Sequence, residues 1–341
     1  MATGPKPPLS QDFAIGWIAA LKIERAAAEA MLDTTFHDEP HDFEQHPRDT
    51  NAYTWGRMGE HDIVIASLAA GDYGTTPAAT TASNLLASLP HIKIGLLVGI
   101  GGGIARSGRD IRLGDVVVSE PDGHTGGVWQ YDLVKAGPGS LERKGFLARP
   151  PDILLHSLQA LQSKHEQEES IIPELLQDML KRKPKMATTK TNPGYIYQGA
   201  EQDLLFDSMY EHVEKYVDCG NCCDKNKVVP RDIRESTDPV IHYGVIASGN
   251  TLVKDAATRD KIAEDVSQGC ICFEMEAAGL MNHFPCLVIR GICDYADSHK
   301  NYQWQRYAAA TAAAYAKEFL GSVRRKSLSK TSTALSYLEN S

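Results

Sequence analysis

Ile94-Gly95-Leu96-Leu97-Val98-Gly99-Ile100-Gly101-Gly102-Gly103 sets four glycines within five residues at the end of an apolar run. The run reads as a buried strand. In open α/β sheets ligands bind beyond the carboxyl ends of the strands, where glycines let backbone and ligand approach closely. A dinucleotide fingerprint fails on register: counting from Gly99 or Gly101, the third glycine would fall on Ile104 or Arg106, and no apolar-periodic helix opens there. No Lys-Ser/Thr follows the glycines, so a Walker loop fails too. What this stretch predicts is an α/β sheet with a glycine-lined ligand site.

Working outward, Phe13 to Ala20 is a second apolar run, after which Ile23, Ala26, Ala27, Ala30 and Met31 recur at helical spacing. Further strands are predicted at Asp62 to Leu68, Leu113 to Ser119, His242 to Ala247 and Cys286 to Ile289. Helices are predicted at Thr75 to Leu89, Ala257 to Val266 and Trp304 to Leu320. This alternation implies an α/β single domain with a central mixed β-sheet flanked by helices. We expect a disordered tail over 1–11, the α/β domain over 12–322 and a flexible C-terminal tail over 323–341. Near 155–235 the texture turns charged and helical (His165 to Lys185), then rich in Thr, Pro, Gly and Cys, as an insertion into the domain or a lid on it.

The chain has 341 residues, 42% apolar and 23% charged, enough to bury a full core. Its net charge of −9 and lack of a basic patch argue against nucleic acid as a partner. No run of about 18 apolar residues and no signal-peptide pattern occurs, so the expectation is a cytoplasmic protein with no membrane partner. Seven cysteines, several in apolar runs, fit a reducing compartment. Within Cys219-Gly220-Asn221-Cys222-Cys223 the Cys-x-x-Cys is half of a zinc pattern, but no second Cys pair or His-x₃₋₅-His follows it. We therefore read these thiols as packing residues and expect no metal and no cofactor.

Three carboxylates, Glu24, Glu276 and Asp294, fall just after predicted strands. Glu24 sits in the first turn of a helix, where an acidic residue is expected from the dipole alone. Glu274 and Glu276 bracket Met275 between an apolar run and a small-residue helix, an unusual place for two charges, which need partners such as sugar hydroxyls. Asp294 closes Leu287-Val288-Ile289-Arg290-Gly291-Ile292-Cys293, at the end of a central strand. A solvated loop aspartate and a ligand contact are both open readings there.

Taken together, Gly16-Trp17-Ile18-Ala19-Ala20-Leu21, Gly71-Asp72-Tyr73-Gly74-Thr75-Thr76, Val98 to Gly103, Ile111 to Val118, Ala247-Ser248-Gly249-Asn250, Phe273 to Ala277 and Arg290 to Asp297 appear in an order that resembles the nucleoside phosphorylase and nucleosidase superfamily. The match is closest to its fungal branch, often found as a domain of larger receptor-like proteins, and runs from about Phe13 to Leu320. The resemblance implies the nucleoside phosphorylase fold and a purine nucleoside as small-molecule partner. It implies that Asp294 donates a proton to N7 of the departing base. Met275 and Glu276 would hold the ribose, Gly101, Gly102 and Asn250 would line the site, and Leu252 and Val253 would pack the base. Bacterial relatives carry an aromatic where this chain has Leu252. Phosphorylases of this fold grip phosphate with arginines and a serine; at the matching positions this chain has Glu24, Leu97 and Ile100. A carboxylate repels phosphate, and related nucleosidases use a Glu at this position to activate water. The expected function is therefore a purine nucleosidase, acting on adenosine, guanosine or inosine with Asp294, Glu24 and Glu276 as catalytic residues. The alternatives are a phosphorylase drawing on Arg25 or Arg106, an ATP nucleosidase, and a non-catalytic sensor. Relatives complete their sites with a neighbour's loop, so a homodimer or higher homo-oligomer is expected, with Trp129 in Gly123 to Trp129 as the apolar contact.

Overall fold

A computed structural model describes residues 5–106, 108–137, 140–143, 145–187, 193–214, 217–266 and 269–339. In chain order the elements are β1 (Ile15–Ala19), α1 (Lys22–Met31), β2 (Thr34–Phe36), β3 (Thr54–Met58), β4 (His61–Ser67), α2 (Thr75–Ser88), β5 (Ile94–Gly103), β6 (Val116–Ser119), β7 (Val128–Gln130), β8 (Val134–Gly137) and β9 (Ser140–Arg143). They continue with α3 (Asp152–His165), α4 (Ile172–Arg182), α5 (Cys219–Cys222), β10 (Ile241–Ser248), α6 (Ala256–Val266), β11 (Cys270–Glu274), α7 (Ala277–Leu280), β12 (Cys286–Asp294), α8 (Gln305–Ser322), α9 (Arg325–Lys330) and α10 (Ala334–Glu339). Among the described residues ten strands form one mixed sheet in the order β11-β10-β6-β12-β5-β1-β4-β3-β2, with β7 beside β10. The mixed sheet flanked by helices agrees with the expectation from sequence.

The long strand β5 organises the molecule. It runs parallel to β1 on one side and to β12 on the other, pairing Gly99 with Arg290 and, after a bulge, Gly102 with Asp294. Beyond Val98 it bends over to pair antiparallel with β11, Gly102 opposite Phe273 and Gly103 opposite Cys272. That extra pairing closes β5, β12, β6, β10 and β11 into a ring, and glycines suit the sharp local twist it demands. β1, β5 and β12 are buried on both faces or nearly so, which is why they read as continuous apolar runs rather than alternating ones. The alanine-rich α8 lies across β12 and β5; its small side chains permit close approach, and a Cβ at Gly291 would fall 1.8 Å from the Ala308 carbonyl oxygen.

The 155–235 stretch is joined closely to the domain. Helices α3 and α4 pack on α8, with Glu318 of α8 accepting from the Ile171 N–H at 3.1 Å and held by His165 at 2.9 Å. Arg231 pairs with Asp203 at 2.9 Å and donates to the Tyr295 hydroxyl at 2.8 Å. Arg234 and His242 both converge on buried Asp115, at 2.7 and 2.9 Å; despite its burial, these partners hold the Asp115 carboxyl below its ordinary value.

Both ends differ from loose tails where they are described. Residues 1–4 of the expected 1–11 tail lie outside the described residues, but Ser10 is fixed by its N–H to Asp42 at 2.9 Å. Residues 323–339 carry α9 and α10, with Leu328 and Ala334 buried; Asn340 and Ser341 lie outside. The Ala334 N–H donates to the Ile92 carbonyl at 2.7 Å, and Lys93 Nζ reaches the Leu328 and Ser329 carbonyls at 3.1 and 2.5 Å. Two apolar contacts and backbone pairing supply what the Ser- and Lys-rich composition of this segment concealed. No helix among the described residues is long and apolar enough to cross a membrane.

Candidate active site

Glu24 occupies the third position of α1, and its two carboxylate oxygens face different elements. Its Oε2 accepts from the Ala20 and Leu21 N–H groups, each at 2.8 Å, which is the capping role expected at a helix start. Its Oε1 instead crosses to β5 and accepts from the Ile100 N–H at 2.8 Å. Burial raises the Glu24 carboxyl above its ordinary value, opposed by Arg290 and these backbone donors.

Glu276 lies at the start of α7. Its Oε1 accepts from the Gly74 N–H at 3.1 Å and its Oε2 from Arg290 Nη2 at 3.3 Å. Gly74, with φ +95°, sits where a Cβ would meet Asn250 Oδ1 at 2.6 Å, so only glycine lets this N–H reach the carboxylate. Neighbouring Glu274, which ends β11, is better satisfied. It accepts from the Glu276 N–H at 3.0 Å, from the Ala277 N–H at 3.0 and 3.1 Å, and from Arg290 Nη2. Burial, helped by the charges of Glu274 and Glu24 and opposed by Arg290, pushes the Glu276 carboxyl up to about 7.

Arg290 is the cation around which these three acids assemble. It is fully buried, and the carboxylates outweigh the cost of burial and lift its guanidinium above the ordinary value. The space it fills exists because position 99 has no side chain: a Cβ there would lie 2.2 Å from Arg290 Nη1 and 2.5 Å from Glu24 Oε1. Glu274 and Arg290 were not among the expected site residues. The available signal was an arginine inside an otherwise apolar strand and two glutamates beside another, since charges buried at such places must pair.

Asp294, at the end of β12, is buried next to Gly102, where a Cβ would meet its Oδ1 at 2.9 Å. Oδ1 accepts from the Ala296 N–H at 2.9 Å, and Oδ2 accepts from Cys293 Sγ at 3.1 Å and pairs with Lys300 Nζ at 2.8 Å. Ala296 holds φ +51° to deliver that N–H, a left-handed geometry that costs a non-glycine residue about 1 kcal/mol. Lys300 is a third residue that was not among the expected ones.

The remaining expected residues frame this core. A Cβ at Gly101 would touch Cys272 Sγ at 2.6 Å. Asn250 Oδ1 accepts from the Thr75 N–H at 3.0 Å, which ties it to the Gly74 turn, and the Asn250 N–H donates to Asp132 Oδ2 at 2.7 Å. Met275 is half-buried between the two glutamates. Val253 is buried with Phe273, Tyr131 and Ala296, whereas Leu252 is 46% exposed and stands outside that cluster.

Of the arginines named for a phosphate contact, Arg25 is committed elsewhere. It binds Glu29 and Thr54 at 2.9 Å, Ser67 at 2.9 Å and the Ala52 carbonyl at 3.0 Å. Arg106 pairs by backbone with Arg109. Leu97 is in the core, and Ile100 offers its N–H to Glu24 rather than to an anion. A cavity of about 590 Å³ lined by Thr75, Thr125, Trp129, Leu133, Phe146 and Asn282 lies beside the acids; Glu24, Glu276 and Asp294 do not line it.

Comparison with known proteins gives a consistent fold. The chain is 42% identical over 317 residues to a nucleotide-binding leucine-rich repeat (NLR)-like protein of Hyaloscypha variabilis, covering 92% of this chain and 30% of that relative. It is 30% identical over 86 residues to the ATP nucleosidase Cap17 of Escherichia coli, 24% of this chain and 17% of the relative. The chain thus spans less than a third of the length of these relatives. Futalosine hydrolase of Helicobacter pylori superposes with a TM-score of 0.53 at 16% identity, over 91% of this chain and 98% of that one. The 5′-methylthioadenosine/S-adenosylhomocysteine nucleosidase of Neisseria meningitidis, in complex with methylthio-immucillin-A, superposes with a TM-score of 0.54 at 15% identity, over 90% and 98%. No family model matches the chain.

Proposed function

Starting from a chain that has the nucleoside phosphorylase and nucleosidase fold, we propose that it hydrolyses the N-glycosidic bond of purine nucleosides. The observation that carries this reading is the cluster of Glu24, Glu274 and Glu276 around the single cation Arg290. Three acids against one guanidinium leave the floor of the site short of positive charge, which disfavours phosphate and favours a neutral nucleophile and a cationic transition state.

In this mechanism water attacks C1′ while the bond from C1′ to the purine N9 breaks, its electron pair passing to the base. Asp294 delivers to N7 a proton drawn from its partner Lys300 Nζ, 2.8 Å away, so that the base leaves neutral. Glu276 accepts hydrogen bonds from the 2′ and 3′ hydroxyls and, ionised, faces the oxocarbenium charge that develops on the ribose. Glu24 takes the proton of the attacking water; its Oε1 has one lone pair beyond that engaged by Ile100, and a raised carboxyl is the better base near neutral pH. Lys300 fixes the orientation of Asp294 before the base arrives.

Release of base from adenosine, inosine or guanosine in phosphate-free buffer, with free ribose as co-product, is the expected result by chromatography. Strict dependence on phosphate, with ribose 1-phosphate formed, would refute it. A nucleotide substrate is a second reading, favoured by the local similarity to ATP nucleosidase Cap17. Including ATP beside adenosine in the same assay separates the two, since a nucleotide enzyme should prefer ATP. Self-association completes the proposal: exposed Phe146 and Leu133 share a cavity with Trp129, and light scattering should find at least a dimer, whereas a fully active monomer would reject this.

A further inference from the structure

The Cys219 to Cys223 motif has no second half downstream, but the fold supplies one from upstream. His212 lies close to the thiols: its Nε2 and the Sγ atoms of Cys219 and Cys223 all fall within 4.8 Å of one another. Cys222 joins the group, with its Sγ 3.6 Å from His212 Nε2 and 3.7 Å from Cys223 Sγ. The short helix α5 and the residue that follows it bring three sulfurs together, and the chain before it brings one imidazole.

These separations have a chemical meaning. With zinc–sulfur bonds of about 2.3 Å and zinc–nitrogen bonds of about 2.0 to 2.1 Å, the edges of a tetrahedron are about 3.8 Å between sulfurs and about 3.5 Å between sulfur and nitrogen. The two edges that Cys222 makes, to His212 and to Cys223, match those lengths, and those among His212, Cys219 and Cys223 are no longer than 4.8 Å. Three thiols and an imidazole form the Cys₃His donor set of closed structural sites, and soft thiolates select zinc over calcium or magnesium.

A second observation stands against the cluster. His299 is 6% exposed; its ring nitrogens make no hydrogen bond, and Nδ1 has only a long ionic contact with Asp297 Oδ2 at 3.7 Å. Its ring stacks on Phe206 at 4.0 Å and meets the edge of His212 at 5.5 Å, and its carbonyl accepts from Cys219 Sγ at 3.6 Å. A buried imidazole this weakly paired extends the polar character of the thiol cluster into the neighbouring loop. Ser298 Oγ also accepts from the His212 N–H at 2.9 Å. The cluster therefore sits directly on the loop that leads from Asp294 to Lys300.

We infer that His212, Cys219, Cys222 and Cys223 bind one Zn²⁺, which clamps the 203–229 segment onto the 295–300 loop. The metal is structural: His212, Cys219 and Cys223 already surround one point and Cys222, which touches two of them, supplies the fourth ligand by a turn of its side chain, so that no position is left for substrate; its role is to fix Ser298 and His299 and hence the path of the chain to Lys300. This does not depend on the reaction proposed above, since the site would hold zinc whatever the acids do.

The test uses the full chain, prepared without a polyhistidine tag or chelator. Elemental analysis should find one zinc per chain, and exchange with Co²⁺ should give intense thiolate-to-cobalt charge transfer with the visible bands of tetrahedral cobalt. Because this spectrum is read on the unaltered chain, it does not depend on any variant folding. Cys219→Ser and His212→Ala should each lower zinc affinity by at least about tenfold, while Cys286→Ala, in a separate part of the core, should leave it unchanged. Chelation should lower the melting temperature of the parent and leave the Cys219→Ser melting temperature where it is. A chain that purifies without metal and takes up Co²⁺ with no charge transfer would overturn the inference. So would zinc retained by both variants, or a disulfide among Cys219, Cys222 and Cys223 in protein kept under reducing conditions.

Discussion

Glu276 should make the protein's stability depend on pH in a direction opposite to that of most carboxylates. Its folded value, about 7, lies above the ordinary 4.5 because burial and the charges of Glu274 and Glu24 outweigh Arg290. A raised carboxyl stabilises the fold in its protonated form. Its contribution is fully present below pH 4.5 and is lost as pH rises through about 7. At about 1.36 kcal/mol for each tenfold change in acidity, the displacement from 4.5 to about 7 corresponds to about 3 kcal/mol. Glu276→Gln is neutral throughout and keeps the acceptor for the Gly74 N–H. Urea unfolding of both proteins between about pH 4.5 and pH 8 should show the variant gaining about 3 kcal/mol on the parent. Glu24 is raised by burial as well and slopes the same way, whereas Asp115, held low by Arg234 and His242, slopes oppositely; both remain in the variant and largely cancel in the difference. Two stability profiles that run parallel would refute the assignment of the proton to Glu276. Activity supplies a second reading of the same group. Only the ionised carboxylate accepts from two hydroxyls, so kcat/KM of the parent should fall as pH drops below about 7.

Asp294→Asn keeps the shape of the side chain but has no proton to give; turnover should fall about 10²- to 10⁴-fold with little change in binding. A riboside of p-nitrophenol, whose leaving group needs no protonation, should restore much of that rate, and equal losses on both substrates would make Asp294 structural. Gly99→Ala forces a methyl to within 2.2 Å of Arg290 Nη1, so the buried ion cluster must shift. A loss of about 1–3 kcal/mol in urea unfolding is expected, together with loss of base release, and a variant as stable and active as the parent would disprove the packing argument.

Much of the fold was legible because its central strands are buried on both faces. Such strands announce themselves as apolar runs, and those predicted around Phe13 to Ala20, Asp62 to Leu68, Lys93 to Val98, His242 to Ala247 and Cys286 to Ile289 all coincide with strands of the sheet. Neither the edge strand β2 nor its neighbour β3 was singled out, since both are short and mix polar with apolar residues, leaving no run. The pairing of β11 with β5 was equally hidden: it joins Phe273 to Gly102 across about half the chain, and registers between distant segments leave no local trace. At the site, Glu24, Glu276 and Asp294 were visible because strand ends gather ligands. Arg290 was passed over because it lies within a strand rather than after one, and His212 because a metal partner was sought only downstream of the cysteines. Helix α4 lies within the stretch read as helical, His165 to Lys185, but that reading began where α3 ends and included the non-helical 166–171.

The contacts of Ala334 with Ile92 and of Lys93 with α9, made beside the Ala14 carbonyl that accepts from the Lys93 N–H at 2.9 Å, bring both flanks of the domain to the starting edge of its parallel strands. The glycines and acids occupy the finishing edge. The terminal segments therefore brace the edge of the sheet opposite the glycines and acids, so that changes made in α9 or α10 reach the site only through the length of the parallel strands.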